Sequence, residues 1–184
     1  MKEIRFHGRG GQGVVKAAHL IVDSAVQEGK YAHFIPFFGV ERKGSPVFGY
    51  ARISDEAIYV KDQVYKPHCV IVMDDTLLGA IPVFDGLKED GIFVINSKKT
   101  PQELKLPPSV KKAAIVDASK IAIETLGRNI PNTAMLGAFV KATGWVSLED
   151  VSENIDKLFG GKNTDAAKKA YDEVKIYELQ GGSY

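Results

Sequence analysis

Four glycines stand within six residues at Gly8-Arg9-Gly10-Gly11-Gln12-Gly13, between a short apolar run, Ile4 to His7, and a helix-like one opening Val14-Val15-Lys16-Ala17-Ala18. The pattern satisfies G-x-G-x-x-G. Glycine permits a tight turn and brings bare backbone close to a ligand, while the amide N–H groups of a helix start offer a positive pole to phosphate. A strand-to-helix turn with no ligand uses the same glycines for packing alone. A dinucleotide site would add a carboxylate about 20 residues further on, at the end of the second strand, to hold a ribose. That region reads His33-Phe34-Ile35-Pro36-Phe37-Phe38, with no acid before Glu41, which weighs against a nicotinamide cofactor.

The loop after that run carries Glu41-Arg42-Lys43-Gly44-Ser45. In a doubly wound sheet the loops after adjacent parallel strands lie side by side, so Arg42 and Lys43 would stand next to the glycine loop and two anion-binding features would converge. Read blandly, both are solvated loop charges. Asp74 and Asp75 end a buried apolar run, a position where ligand contacts occur and where a turn or helix start equally places acids. His7, His33 and His68 have no metal-ligand spacing, and neither H-E-x-x-H nor C-x-x-C occurs, so no metal and no catalytic residue is assigned. Cys69, opening an apolar strand, reads as a small core residue. Trp145 after Gly144 reads as an anchor for a helix junction or a subunit contact. Ser45 is not in a G-x-S-x-G elbow, which removes support for a serine hydrolase.

Elements of alternating type must position these groups. Ile4 to His7 reads as a strand that the glycines end. Val14, Ala18, Ile21 and Ala25 then form one stripe of a helix over residues 14–28, with Lys16, His19, Asp23 and Gln27 on the solvated face and Gly29 as the stop. Tyr31 to Phe38 is apolar enough to be a strand buried on both faces. Residues 47–54 follow too closely for a crossover helix and are expected to run antiparallel to a neighbour. Residues 69–75 and 91–97 are further strands, and 112–116 a sixth. After residue 127 the pattern turns helical: Asn132 or Thr133 can cap a helix through Lys141, Ser147 one through Phe159, and Asn163 or Thr164 one to Tyr177. The expected fold is α/β: a three-layer, Rossmann-like mixed and mostly parallel sheet with flanking helices. It forms a single domain over 1–184, with a sheet-containing core at about 1–127 and a helical part at about 128–184.

The 184 residues carry 24 Lys and Arg against 23 Asp and Glu, a net charge of +1, so no overall field points to nucleic acid or an anionic membrane. Any anion site is therefore local. A single cysteine excludes an internal disulfide and cannot hold an iron–sulfur cluster, which takes about four thiolates. With no apolar stretch approaching the ~20 residues that span a bilayer, the expectation is a soluble protein of a reducing cytoplasm.

Three stretches then converge on one family. "GRGGQG" at 8–13, "ERKGSPVFGYARISD" at 41–55 and "NTAMLGAF" at 132–139 together resemble the gamma subunit of 2-oxoacid:ferredoxin oxidoreductases, the pyruvate:ferredoxin oxidoreductase (pyruvate synthase) family, over nearly the whole chain. The resemblance implies one subunit of an anaerobic hetero-oligomer with alpha, beta and delta-type partners. Such a complex oxidatively decarboxylates a 2-oxoacid, passes electrons to ferredoxin and gives the acyl group to coenzyme A. Thiamine diphosphate and the iron–sulfur clusters then belong to partner subunits, and this chain contacts coenzyme A. Carried onto this sequence, Gly8, Gly10, Gly11 and Gly13 form the backbone cradle, Arg42 and Lys43 pair with phosphates, and Ser45 and Asn132 make polar contacts. Ser45 read alone shapes the turn before Pro46, and Asn132 read alone is a helix cap. The isolated chain is expected to be inactive and to self-associate through surface left by absent partners. Two other readings stand beside this one: a self-sufficient NAD- or flavin-dependent oxidoreductase, and a non-enzymatic nucleotide-binding assembly module.

Overall fold

The computed structural model of the protein describes residues 1–37 and 43–179. Strand β1 (Lys2–Arg9) runs through the glycine loop into helix α1 (Val14–Gln27), followed by β2 (Tyr31–Phe37) and β3 (Pro46–Ser54). Next come β4 (Cys69–Val72), a 3-10 turn at Asp75–Gly79, β5 (Gly91–Asn96), the single turn α2 (Pro101–Leu104) and β6 (Val110–Val116). Helices α3 (Ala118–Leu126), α4 (Asn132–Thr143), α5 (Leu148–Phe159) and α6 (Gly161–Glu173) lead to a last strand, β7 (Lys175–Glu178).

The seven strands form one mixed sheet in the order β2-β3-β1-β4-β5-β6-β7. Parallel pairing joins β1, β4, β5 and β6, whereas β3 runs antiparallel to both β1 and β2, and β7 antiparallel to β6. From β1 the chain winds outward to β2, and after β3 it crosses to β4 and winds the other way. The switch point between β1 and β4 therefore lies beside the glycine loop, where α/β sheets open a crevice outside their strand ends. On one face Ile4, Phe6, Ile71 and Val94 pack against α1, α3, α4 and α6 through Ala18, Ile21, Ile121, Phe139 and Ala167. On the other, Val70, Val72, Phe93 and Ile95 meet a thinner layer built from Leu77, Val83, Leu87, Leu104 and Leu106.

Three sequence expectations change. Tyr31 to Phe38 was expected to be buried on both faces; the described part, β2, is instead an edge strand, half-buried with exposed ends, and Phe38 lies outside the described residues. An edge is also where a strand tolerates Pro36. The helix expected to reach Tyr177 ends at Glu173, and residues 175–178 pair with β6, so the C-terminal part returns a strand to the sheet. Val174 and Tyr177 fit either period over so short a run, and only the open edge of β6 selects the strand. Helix α3, capped by the Asp117 carboxylate on the Lys120 N–H at 3.0 Å, was not anticipated.

Other expectations hold in the fold. Ser147 caps α5 by accepting from the Asp150 N–H, and Cys69 is wholly buried in the core. Trp145 ties a helix junction: its ring meets Phe139 edge-on at 5.9 Å, Lys2 Nζ lies 5.4 Å from its centroid, and its carbonyl accepts from Lys30 Nζ at 2.6 Å.

Candidate functional site

Gly11 and Gly13 adopt φ of +94° and +79°, the left-handed region that favours glycine, and Gly13 is the residue that enters α1. No side chain caps that entry and no acid lies in the first turn. The first-turn N–H groups of a 14-residue helix, with its positive pole, therefore face outward uncapped. They open on a cleft of ≈ 480 Å³ whose walls include Arg9, Gly10, Gly11, Gly13, Lys16 and Lys43. Three cationic side chains and a helix N-terminus thus share one cavity, an arrangement that attracts phosphate.

The described end of the basic loop, residues 43–45, does stand beside the glycine loop, by a route different from the expected one. β1 and β2 point the same way, but they are not neighbours, because β3 lies between them. The antiparallel register pairing Arg9 with Pro46 brings the hairpin alongside. Gly10 N–H donates to the Ser45 carbonyl at 2.9 Å, and Gly44 N–H to the Gly10 carbonyl at 3.2 Å. Lys43 reaches the cleft, Ser45 acts here through its backbone, and Arg42 lies outside the described residues. Gly8 sits one layer lower, where a Cβ would collide with Val14, so its smallness serves packing.

Asn132 is the first residue of α4, after Pro131, and its side chain makes no cap hydrogen bond across that first turn. Its Oδ1 accepts from the adjacent Thr133 N–H at 2.9 Å, while a Cβ on Gly13 would come within 2.5 Å of its Nδ2. The side chain is buried against the back of the loop, which explains its pairing with a glycine at 13 better than a cap does.

Arg9, Gln12 and Lys16 escaped the sequence reading, although two of them lie inside the quoted motif and Lys16 is one helical turn beyond Gly13. Arg9 Nε lies 3.3 Å from the Asp74 carboxylate, and its other nitrogens donate to the Gly44 carbonyl at 3.1 Å and to Thr76 Oγ1 at 2.8 Å. Gln12 Nε2 donates to Asp74 Oδ2 at 3.0 Å. Burial alone would push the Asp74 carboxyl up; hydrogen bonds from the Thr76 hydroxyl and N–H and from Gln12, with the Arg9 charge, outweigh it and hold Asp74 below the usual carboxylate range. The parallel neighbour of β1 is β4 and not β2, so the position for a ribose-binding acid is the end of β4. The acid there, Asp74, is already engaged by Arg9, Gln12 and Thr76.

Past Asp74 a second, polar crevice of ≈ 370 Å³ opens at the ends of β4, β5 and β6, with Asp75, Asn96, Ser97, Lys99 and Asp117 among its walls. Lys99 lies 3.3 Å from Asp75 and Ser97 Oγ donates to it at 2.8 Å, so its charges are internally paired. Among the described residues no three His, Cys, Asp or Glu side chains converge on a metal position, and no helix is long and apolar enough to cross a membrane.

A doubly wound sheet with an uncapped glycine turn, Lys43 at its side and an amide-bearing helix packed behind it is an arrangement suited to a phosphate-bearing ligand. The model of the pyruvate ferredoxin/flavodoxin oxidoreductase family matches residues 3–173, and the chain belongs to that family. It corresponds to the family's gamma-type subunits over nearly its whole length. It is 49% identical over 185 residues to the pyruvate/ketoisovalerate oxidoreductases common subunit gamma of Pyrococcus furiosus, covering 97% of this chain and 100% of that one. The crystal structure of pyruvate oxidoreductase subunit PORC from Thermotoga maritima superposes with a TM-score of 0.84 at 39% identity, over 96% of this chain and 98% of that chain. The fold also recurs within a 2-oxoglutarate:ferredoxin oxidoreductase from Magnetococcus marinus, solved with 2-oxoglutarate, coenzyme A and succinyl-CoA bound. There the TM-score is 0.74 at 21% identity, over 94% of this chain and 30% of that one.

Proposed function

We propose that this chain is the coenzyme A-contacting gamma subunit of a 2-oxoacid:ferredoxin oxidoreductase, one that does no chemistry alone. The observation that carries the reading is the cleft itself: Arg9, Lys16 and Lys43 around the uncapped N-terminus of α1, with Gly11 and Gly13 leaving the backbone bare. Coenzyme A brings a pyrophosphate and a 3′-phosphate to such a site, and the 2-oxoglutarate:ferredoxin oxidoreductase that shares this fold holds it bound. Alpha, beta and delta-type partners would hold thiamine diphosphate and the iron–sulfur clusters and pass electrons to ferredoxin in the cytoplasm, with residues 1–184 acting as one domain. A gamma subunit named as common to pyruvate and ketoisovalerate oxidoreductases supports a 2-oxoacid pocket in the other subunits. Pyruvate is the first substrate to try.

The test is Arg42→Ala/Lys43→Ala in the reconstituted complex. Each lost charge-assisted hydrogen bond to phosphate is worth roughly 1.5–3 kcal/mol before screening, so KM for coenzyme A should rise about 10- to 1000-fold. The KM for the 2-oxoacid and the thiamine diphosphate content should stay put. The defect should shrink with dephospho-coenzyme A if one of the two holds the 3′-phosphate. An unchanged KM for coenzyme A would return both residues to solvated loop charges.

A further inference from the structure

The glycine loop is, by composition, the segment of this chain with most to lose in entropy on ordering, since glycine restricts itself less than any other residue. Its two long side chains are what tie it down. Gln12 N–H donates to the Arg9 carbonyl at 3.1 Å, and the Arg9 N–H donates back to Gln12 Oε1 at 2.7 Å, closing a ring within the loop. With Oε1 so used, the Gln12 amide must present Nε2 outward, and Nε2 meets Asp74 Oδ2. Arg9 Nε meets the same oxygen. The other oxygen, Oδ1, accepts from Thr76 N–H at 3.0 Å and Thr76 Oγ1 at 2.5 Å, which anchors the carboxylate at the end of β4. Through Arg9 Nη1, which donates to the Gly44 carbonyl, the same knot reaches the segment that leads into β3. The glycine loop directly, and Gly44 through Arg9, are thereby tied to one carboxylate that belongs to neither segment.

We propose that Asp74 is the positioning residue of the phosphate cleft: through Arg9 and Gln12 it holds loop 8–13 and the hairpin in the shape that receives the phosphates of coenzyme A. The proposal rests on the coenzyme A reading above. It makes a prediction opposite in sign to plain electrostatics. A carboxylate beside an anion site repels the ligand, so its removal, if charge alone mattered, would lower KM for coenzyme A. As the holder of the loop, Asp74 instead improves binding, and its removal raises KM.

Asp74→Asn in the reconstituted complex keeps the size but leaves one acceptor oxygen for the donors of Arg9, Gln12 and Thr76 that two carboxylate oxygens serve in the wild type, and sets amide N–H groups against the rest. KM for coenzyme A should rise about tenfold, with a smaller change in kcat at saturating coenzyme A and none in KM for the 2-oxoacid. Amide hydrogen exchange of residues 8–13 in the full-length chain should quicken by a similar factor, while the sheet core keeps its protection. Gln12→Ala, which removes one arm and leaves the carboxylate, should shift both readouts the same way, and Asp74→Glu should recover part of each. With Lys43→Ala raising KM for coenzyme A, a lowered or unchanged KM in Asp74→Asn overturns the proposal, as does unchanged exchange at 8–13. Failure of the coenzyme A reading looks different: Lys43→Ala and Asp74→Asn then both leave that KM alone, while exchange at 8–13 still quickens in Asp74→Asn.

Discussion

His7 should make the stability of this chain fall with acid in a window where ordinary surface groups are silent. With side chains alternating along β1, Arg5 and His7 share the face opposite Ile4 and Phe6, and His7 is only 6% exposed. Arg5 Nε donates to His7 Nε2 at 3.1 Å, which puts the neutral ring's proton on Nδ1, and that atom has no hydrogen-bond partner among the described residues. A second proton would break the bond from Arg5 and set a cation beside the guanidinium. Burial first, and the Arg5 charge second, draw the imidazole down from 6.5 to about 3. The folded pKa is the lower one, so between these values the unfolded chain binds a proton that the folded chain refuses. Stability is full above pH 6.5 and is lost toward pH 3, at up to about 1.4 kcal/mol per unit. From pH 7.5 to 5 this amounts to roughly 2 kcal/mol. His33 and His68 are shifted the same way, chiefly by burial, so the decisive quantity is a difference between proteins. His7→Gln offers Arg5 an acceptor that does not titrate. Urea unfolding at pH 5 to 7.5 should show wild type losing about 2 kcal/mol more than the variant. Parallel pH profiles would refute the buried, neutral imidazole.

Gly137 lies mid-way along α4, where an added Cβ would run into the Ala167 carbonyl of α6 and come within 3.0 Å of the Tyr171 nitrogen. Backbone cannot step aside as a side chain can, so Gly137→Ala should cost about 3 kcal/mol in helix separation, less about 1 kcal/mol of recovered helix propensity. Thermal melts should fall by roughly 4–8 °C, and an unchanged melt would mean that α4 and α6 do not approach so closely. The Cys69 thiol is wholly buried and pushed up by that burial, so it should not react with a thiol reagent at pH 8 until the chain unfolds. Reaction at the rate of a free thiol in the native chain would show that β4 opens to solvent.

Local chemistry was legible without coordinates wherever one segment settles its own conformation. The glycine turn into α1, the apolar runs of β4 and β5, the Ser147 cap and the inert cysteine all follow from spacing, capping and burial propensity within a few residues. Strand neighbours do not. Nothing in β2 states that β3 will insert between it and β1, because backbone pairing is set by hydrogen bonds that every residue but proline can make, and the order emerges only when all apolar faces are buried together. That order decided two things about the site. It brought the hairpin to the glycine loop through an antiparallel register, and it made β4, ending in Asp74, the strand beside the loop. It also turned Lys175–Glu178 from the tail of a helix into the last strand. Asn132 shows the same division most plainly. Its type and place before an apolar run suggest a cap, but α4 folds back across the sheet and sets that amide behind Gly13, a contact 119 residues away in the chain that no local pattern encodes.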